Sequence, residues 1–482
     1  MTMTIEPTAP VVATTRSARA GASAGPVPEA LAVLAARTVV ALETSLTRFL
    51  AAADQNLGHL ETQAAHGVQE LLRTATQRAA QARADATPRR CPVCGQPLTR
   101  CSSGHARTFQ TRFGDITIER TRGYCKRCRK WRTPAAAALG LEDTAGYSPA
   151  VQTMAALAAS KLPVAEASVV LEHLAGVKLP PATLDREAKR QGQRAQRLRT
   201  QLDQQAARDK KQLELVLEPY QLIIQLDAWN IRERDAWGQT AQRRRAGREP
   251  ERWHWVYTGT VFRLDQRGKT AGGRPVIAQR GTVFTRQGLD ALREQLHAEA
   301  LRRGLGQAAS VLIIGDGAVW IWRLADDRWP QAQQRLDFYH AVQHLVAVGR
   351  ALWGEDQAQF KTWLKPLVRQ LKSESAVKVI RQLDAALVGL PAGPAQDTVA
   401  REVAYFHEHQ PRMDYRAAQR AGEPIGSGPV EATCRQGQCR FKRPGQFWST
   451  TGDEALLCLE TFWRNERWHL LFPHTARPPS QN

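Results

Sequence analysis

The feature that most limits what this chain can become is a pair of short motifs, Cys91-Pro92-Val93-Cys94 and Cys125-Lys126-Arg127-Cys128. Two thiolate pairs, each delivered by a tight turn, can close a tetrahedral shell around Zn²⁺. Only eight cysteines occur in 482 residues, which excludes a disulfide-stapled scaffold. Between the pairs, residues 108–113 and 116–120 read as short strands about the turn Gly114-Asp115, a hairpin signature. Residues 89–132 are therefore expected to form a zinc β-ribbon held by Cys91, Cys94, Cys125 and Cys128, with Cys101 and His105 surplus to four ligands. The plainer reading, four unliganded thiols, would leave this segment with almost no core.

That ribbon is also the most basic part of the chain. It carries twelve Lys or Arg against Asp115 and Glu119, a net +10 that a Zn–Cys₄ centre would lower to about +8. The whole chain has 67 Lys or Arg and 46 Asp or Glu, a formal charge of +21. Such a surplus suits a polyanion, and nucleic acid is the commonest one. An anionic membrane surface is the weaker alternative, because no basic amphipathic helix stands apart. With 43% apolar and 23% charged residues, the composition excludes a fibre or a wholly disordered chain. Apolar runs such as 311–314 fall far short of the ~20 residues a membrane span needs. The first 27 residues, rich in Thr, Ala, Ser, Pro and Gly, lack a basic-then-apolar leader and read as a disordered tail, so the cytoplasm is the expected location.

The rest divides by the period of its apolar residues. Residues 28–88 form a helical arm, with Leu31, Leu34, Val39, Leu42, Leu46 and Leu50 recurring at helical steps. Residues 146–218 read as helix, helix, turn and basic helix, the order of a helix-turn-helix module. Ser148-Pro149 opens the first helix, Gly176 closes the second, and Pro180-Pro181 opens the third. On the third helix Arg186, Arg190 and Arg194 fall at four-residue steps on one face, with Lys189 beside them. A solvated basic face would look the same. From residue 220 the period becomes extended: 220–231, 253–264 and 276–284 read as strands, and 311–314 as a buried parallel strand after a crossover helix at Leu289, Leu292 and Leu296. Residues 219–337 and 422–472 are expected to form an α/β core, 338–421 an all-helical insertion between them, and 473–482 a tail.

Three acids stand where burial is expensive. Asp227 lies inside the first strand, and Asp316 ends the later apolar strand in Ile314-Gly315-Asp316-Gly317. A carboxylate there must be paired or bind a metal. Glu431 lies on a helix, sharing a stripe with Arg435, Gln438 and Lys442. A surface Glu431–Arg435 ion pair is the plainer account of that stripe; a metal ligand beside phosphate-binding cations is the sharper one. Phosphodiester cleavage by two divalent ions about 3.5–4 Å apart needs such carboxylates.

Taken together, Gln225-Leu226-Asp227, Ile314-Gly315-Asp316-Gly317, Asp337-Phe338-Tyr339-His340 and Gly426-Ser427-Gly428-Pro429-Val430-Glu431 resemble bacterial insertion-sequence transposases of the DDE class, in particular the Kra-type group. The resemblance spans about 380 residues, from the cysteine pairs to Trp468. It implies an RNase H-like catalytic core with an all-α insertion, preceded by the zinc ribbon and the helix-turn-helix. It further implies Asp227, Asp316 and Glu431 as a catalytic triad holding two Mg²⁺ or Mn²⁺ ions, with Asp227 bridging them and Asp316 and Glu431 each completing one shell. The 115 residues from Asp316 to Glu431 leave room for the helical insertion. Asp337 and His340 match an Asp-x-x-His motif with a supporting role, and His344 follows one turn later. DNA contacts are expected from Arg127 and Lys130 on the ribbon, from Arg186, Lys189, Arg190 and Arg194, and from Arg435 and Lys442. The implied activity is cleavage at transposon ends and 3′-OH transfer into target DNA by a homo-oligomer, nucleoid-associated when bound to DNA. A catalytically inactive DNA-binding derivative and an RNase H-like nuclease remain the alternatives.

Overall fold

The computed structural model describes residues 27–52, 54, 56–141, 146–209, 218–234, 238–248, 252–273, 275–354 and 357–475. It resolves into two compact units divided between Ser148 and Pro149. The expected N-terminal tail up to residue 26, residues 210–217 of the helix-turn-helix stretch and residues 476–482 of the C-terminal tail lie outside the described residues.

The first unit opens with the helices α1 (Val27–Ala51) and α2 (Leu57–Asp85), which pack side by side. Asn56 caps α2: its side chain accepts from the His59 N–H (3.3 Å), and its own N–H donates to His59 Nδ1 (3.1 Å). The strands β1 (Thr99–Thr111), β2 (Gly114–Cys125) and β3 (Lys130–Arg132) form an antiparallel sheet in that order. The hairpin expected from the sequence is present, turns at Gly114 and is longer than its apolar alternation indicated. Beyond the short β3, one edge of β2 would be open, and α2 closes it with two glutamines one turn apart. Gln77 accepts from the Thr117 N–H (3.3 Å), while Gln81 accepts from the Glu119 N–H (2.8 Å) and donates to its carbonyl (3.1 Å). A strand edge satisfied in this way offers no template for another chain. Phe109, Ile116 and Ile118 of the sheet meet Ala136 of α3 (Pro134–Ala138) and Leu141 in a small core.

The second unit begins with α4 (Pro149–Lys161), α5 (Val164–Ala175) and α6 (Pro181–Arg208), and Gly176 closes α5 in the left-handed conformation (φ 63°). There follow β4 (Gln221–Glu233), α7 (Thr240–Arg245), β5 (Arg252–Arg263), β6 (Arg267–Lys269), β7 (Pro275–Ile277), β8 (Arg280–Thr285), α8 (Leu289–Arg302), β9 (Ser310–Gly315), α9 (Val319–Arg328) and β10 (Gln333–Leu336). Helices α10 (Phe338–Trp353), α11 (Gln357–Ser373), α12 (Ala376–Val388), α13 (Pro394–His409) and α14 (Tyr415–Arg420) form the helical stretch expected at 338–421. The chain ends in α15 (Gly428–Phe441), α16 (Gly452–Arg464) and α17 (Trp468–Leu471).

Five strands make one mixed sheet in the order β10-β9-β4-β5-β8. The β4–β5 and β5–β8 pairs are antiparallel, and the β4–β9 and β9–β10 pairs are parallel. Side chains alternate across β4, so each face has its own core. Leu222, Ile224 and Leu226 pack with Leu292 and Leu296 of α8, Ile321 of α9 and the insertion helices. Trp229 and Ile231 pack with Val430 and Cys434 of α15 and Leu456 of α16. The chain is thus mixed α/β. No helix among the described residues is long and apolar enough to cross a membrane.

Three expectations need adjusting. The stretch 276–284 is not one strand: β7 pairs with β6 in a separate ribbon, and only β8 joins the sheet. The edge strand β10 went unread because Gln333-Gln334-Arg335-Leu336 has no apolar run, and only its last two residues are buried. The helical stretch after residue 428 is three helices.

Candidate active site and metal centre

In the first unit the four expected cysteines converge. Cys91 Sγ lies 3.8 Å from Cys128 Sγ, and Cys94 Sγ lies 3.5 Å from Cys125 Sγ. A tetrahedron with Zn–S bonds of about 2.3 Å has edges of about 3.8 Å, so these spacings suit one ion and are far too long for a disulfide. All four sulfurs fall within 4.8 Å of one another. Each turn ends in a left-handed residue, Gly95 (φ 73°) after the first pair and Arg129 (φ 53°) after the second. The Cys128 N–H points at Cys125 Sγ (3.4 Å). The group can bind a structural metal such as zinc. Arg127 and Lys130 are exposed at the second turn.

In the second unit the acids are gathered by strand register. Gln225 pairs with Ile314 across the parallel β4–β9 ladder, and two further residues along each strand set Asp227 beside Asp316. Asp227 Oδ1 accepts from the Ala228 N–H (2.7 Å), and Asp316 Oδ1 accepts from the Ala318 N–H (3.0 Å) just before α9. Tyr405 of α13 donates to the Asp316 carbonyl (2.9 Å). It approaches so closely that a Cβ on Gly317, itself at φ +101°, would lie 2.5 Å from the Tyr405 hydroxyl. The second glycine of the Gly-Asp-Gly motif is therefore required by both backbone and space.

Glu431 arrives on the first turn of α15, and that turn is tied to the sheet at two points. Gln225, buried on β4, donates to the Gly426 carbonyl (3.2 Å) and accepts from the Val430 N–H (3.2 Å). Asp337, at the end of β10, accepts from the Ser427 N–H, the Ser427 hydroxyl (2.8 Å) and the His340 N–H (2.7 Å). The Ser427 Oγ also lies 3.0 Å from Glu431 Oε1, so its one proton is shared between two carboxylates. Glu431 turns to this serine and makes no ion pair with Arg435.

The electrostatics are those of carboxylates with few cations. Burial pushes the Asp227 carboxyl above its ordinary value and Asp316 adds to it, against hydrogen bonds from the Cys434 thiol and the Ala228 N–H. Burial also opposes ionisation of Asp337, yet His340 and Ser427 outweigh it and hold that carboxyl below the usual range. His340 faces these acids, and its imidazole is raised above its ordinary value by Asp337, then by Asp316 and Glu431, against its own burial. Its Nδ1 lies 3.4 Å from Asp337 Oδ1. Among the described residues, the acidic group whose ligand atoms close within 4.8 Å is Asp337, His340 and Glu431; Asp227 and Asp316 are not part of that set. A two-ion site requires only its central carboxylate to reach both ions. Hard oxygen donors, with one carboxyl raised by burial and a like charge, suit divalent Mg²⁺ or Mn²⁺.

The expected DNA-contacting cations separate into two groups. Arg186, Arg194, Arg435 and Lys442 are exposed. Lys189 and Arg190 are half-buried and held by Asp185 (2.7 Å) and Glu187 (2.8 Å) on their own helix. One face of α6 is committed to α16: a Cβ on Gly192 would lie 2.4 Å from the Ala455 carbonyl oxygen. The sequence reading missed Ser427 and Gln225 as positioning residues, although a buried amide in the apolar run 222–226 was a signal for the second. Tyr405, Cys434 and the Glu402 partner of His344 left no local signal. No protein-family model matches the chain, and no curated protein matches it.

Proposed function

We propose that this chain is a DDE transposase, which binds the terminal repeats of an insertion sequence, cuts DNA strands at its ends and transfers the 3′-hydroxyl into target DNA. The observation that carries this reading is the placement of Asp227 and Asp316 side by side where the parallel β4–β9 ladder ends, with Glu431 on the first turn of α15, which Gln225 ties to β4. The RNase H-like core is supported by the mixed sheet with β4 at its centre and by the helices intervening between Asp316 and Glu431.

Asp227, Asp316 and Glu431 would hold two Mg²⁺ or Mn²⁺ ions. When bound, such ions activate the attacking water or 3′-hydroxyl and stabilise the leaving oxygen. The chain's own residues do the positioning. Gln225 fixes the start of α15 against the strand that bears Asp227, and Asp337 with Ser427 orients Glu431. Arg435 and Lys442, exposed on and just after the same helix, are suited to phosphate oxygens. In this reading the cysteine centre holds structural zinc and presents Arg127 and Lys130 to DNA, while the helix-turn-helix uses Arg186 and Arg194. The order α4, α5, turn, α6 supports that assignment. Two transposon ends must be brought together, so the protein would act as a homo-oligomer on DNA in the cytoplasm.

The test is a strand-transfer assay with the element's flanking ends, supercoiled target plasmid and Mg²⁺, with Asp316→Ala in parallel. Joined products that vanish in the variant are expected. End binding without cleavage by either protein would favour a non-catalytic binder, and cleavage without joining would favour a nuclease.

A further inference from the structure

Strand β5 carries aromatic side chains at alternate positions, Trp253, Trp255 and Tyr257, and its register sets them opposite Arg232, Asn230 and Ala228 of β4. Directly opposed residues in an antiparallel pair share a face. The other face of this ladder, with Trp229, Ile231 and Val256, is buried in the core, so these aromatics face outward. Trp253 is 58% exposed and Trp255 is 52% exposed, whereas Trp229, Trp322, Trp329, Trp448 and Trp468 are all buried. Cations flank the open indoles. The Arg232 guanidinium lies 5.6 Å from the Trp253 ring centre, and Lys442 Nζ lies 5.4 Å from it while donating to Asn230 Oδ1 (2.8 Å).

This surface lies on the face of the sheet opposite the Asp227 carboxyl, because Asp227 shares the face of Trp229 while Ala228, Asn230 and Arg232 point the other way. Tyr257, opposite Ala228, packs edge-on against Trp320 (5.3 Å between ring centres) at the start of α9, four residues after Asp316.

Exposed indoles beside cations suit a ligand that offers π-faces and negative charge together. Unpaired nucleotides do so, whereas the bases of an intact duplex keep their faces stacked. The +21 charge of the chain also favours a polyanion over a protein or a lipid tail. We propose that Trp253 and Trp255, with Arg232 and Lys442, form a stacking subsite for unpaired bases of a bound DNA strand on the face of the sheet away from the carboxylates. The proposal rests on the transposase reading, which supplies the DNA.

The test uses the full chain without divalent ions and two fluorescein-labelled probes, an oligo-dT about 30 nucleotides long and a mixed-sequence blunt duplex of similar length, read by anisotropy at one salt concentration. Trp253→Ala and Trp255→Ala should each weaken oligo-dT binding about tenfold and leave the duplex within about twofold. Trp255→Phe should keep most of the oligo-dT affinity, because a smaller ring still stacks. Equal losses on both probes, no loss on oligo-dT, or a Phe variant as weak as the Ala variant with an unchanged circular dichroism spectrum would each overturn the proposal. The two readings fail separately. Trp-dependent oligo-dT binding by a wild-type protein that never cuts ends would sink the transposase; normal joining with indifferent Trp variants would sink the subsite alone.

Discussion

Strand β4 carries two acidic clusters, and they are built on opposite plans. At its C-terminal end Glu233 is fully buried and meets Arg286 and Arg252. Arg286 also lies 3.0 Å from Asp453, and Glu454 beside it pairs with Arg199 (3.1 Å). Six residues earlier Asp227 meets Asp316, and no arginine or lysine forms an ion pair with Asp227, Asp316, Asp337 or Glu431 among the described residues. Their company is N–H groups, a thiol, a hydroxyl and one histidine. Buried charge must be balanced. The Glu233 cluster balances itself within the fold, and the Asp227 cluster has no arginine or lysine to balance it. In the proposed function bound metal ions would supply that balance, and this difference, rather than the number of acids, would separate a structural network from a binding site.

The largest effects should run crosswise. Asp227→Asn should abolish joining by about a thousandfold or more while leaving stability unchanged within about 1 kcal/mol, since it removes a carboxyl that folding already disfavours. Arg286→Met should do the reverse. It strands Glu233 and Asp453 without their shared cation, at a cost of about 3–5 kcal/mol in urea unfolding. Activity per folded molecule should be nearly intact. If Asp227→Asn destabilised as much as Arg286→Met, both clusters would be structural and the contrast would collapse.

The Glu233 cluster should also set the pH dependence of stability. Burial pushes Asp453 up to about 8, with the Glu233 carboxylate adding to it against Arg286. An unfolded aspartate loses its proton near 4. Between those values the folded chain holds a proton that the unfolded chain has lost, so stability is greatest below about 4 from this group and falls as pH rises to about 8. The fall should be on the order of 1–3 kcal/mol, and Asp453→Asn should flatten it. Glu299 works in the opposite sense. Despite its burial, Arg467 and Arg303 hold it at about 2, so its contribution is present above about 4.5 and is lost as pH falls through 2. A stability curve between pH 5 and 9 that ignores Asp453→Asn would show that the Glu233 network is already neutralised without that shared proton.

Legibility in the sequence follows how locally each feature is encoded. The cysteine centre is written in two tight turns, and its four ligands fall where their spacing predicts. Asp227 and Asp316 were legible because each interrupts or ends an apolar run that must be a buried strand. The helical stretch at 338–421 was legible from its period. What was hidden depends on tertiary pairing. The strand β10 is polar because only its end is covered. Lys189 and Arg190 were misjudged for a local reason, since Asp185 and Glu187 four and three residues before them already offered helical ion pairs. The arginines that answer Glu233, Arg252 and Arg286, come from 19 and 53 residues away, and Asp453, which shares Arg286, lies 220 residues from Glu233. No spacing rule reaches that far.

The smallest effect tests how the open cluster keeps its geometry without cations of its own. Ser427 has one proton between Asp337 Oδ2 at 2.8 Å and Glu431 Oε1 at 3.0 Å. Its N–H is committed to Asp337 whatever the side chain, so Ser427→Ala removes only the hydroxyl. The fold should be kept, because Gln225 still holds the Gly426 carbonyl and the Val430 N–H. Glu431 should lose its orienting partner. The expected result is a rise of about three- to tenfold in the Mg²⁺ concentration for half-maximal joining, at the lower edge of what a residue supporting a metal ligand contributes. The maximal rate at saturating Mg²⁺ should be nearly unchanged. An unchanged Mg²⁺ requirement would mean that the backbone of α15 alone positions Glu431. A lost maximal rate would instead put the hydroxyl in the chemistry, and would make Ser427 a member of the site rather than its support.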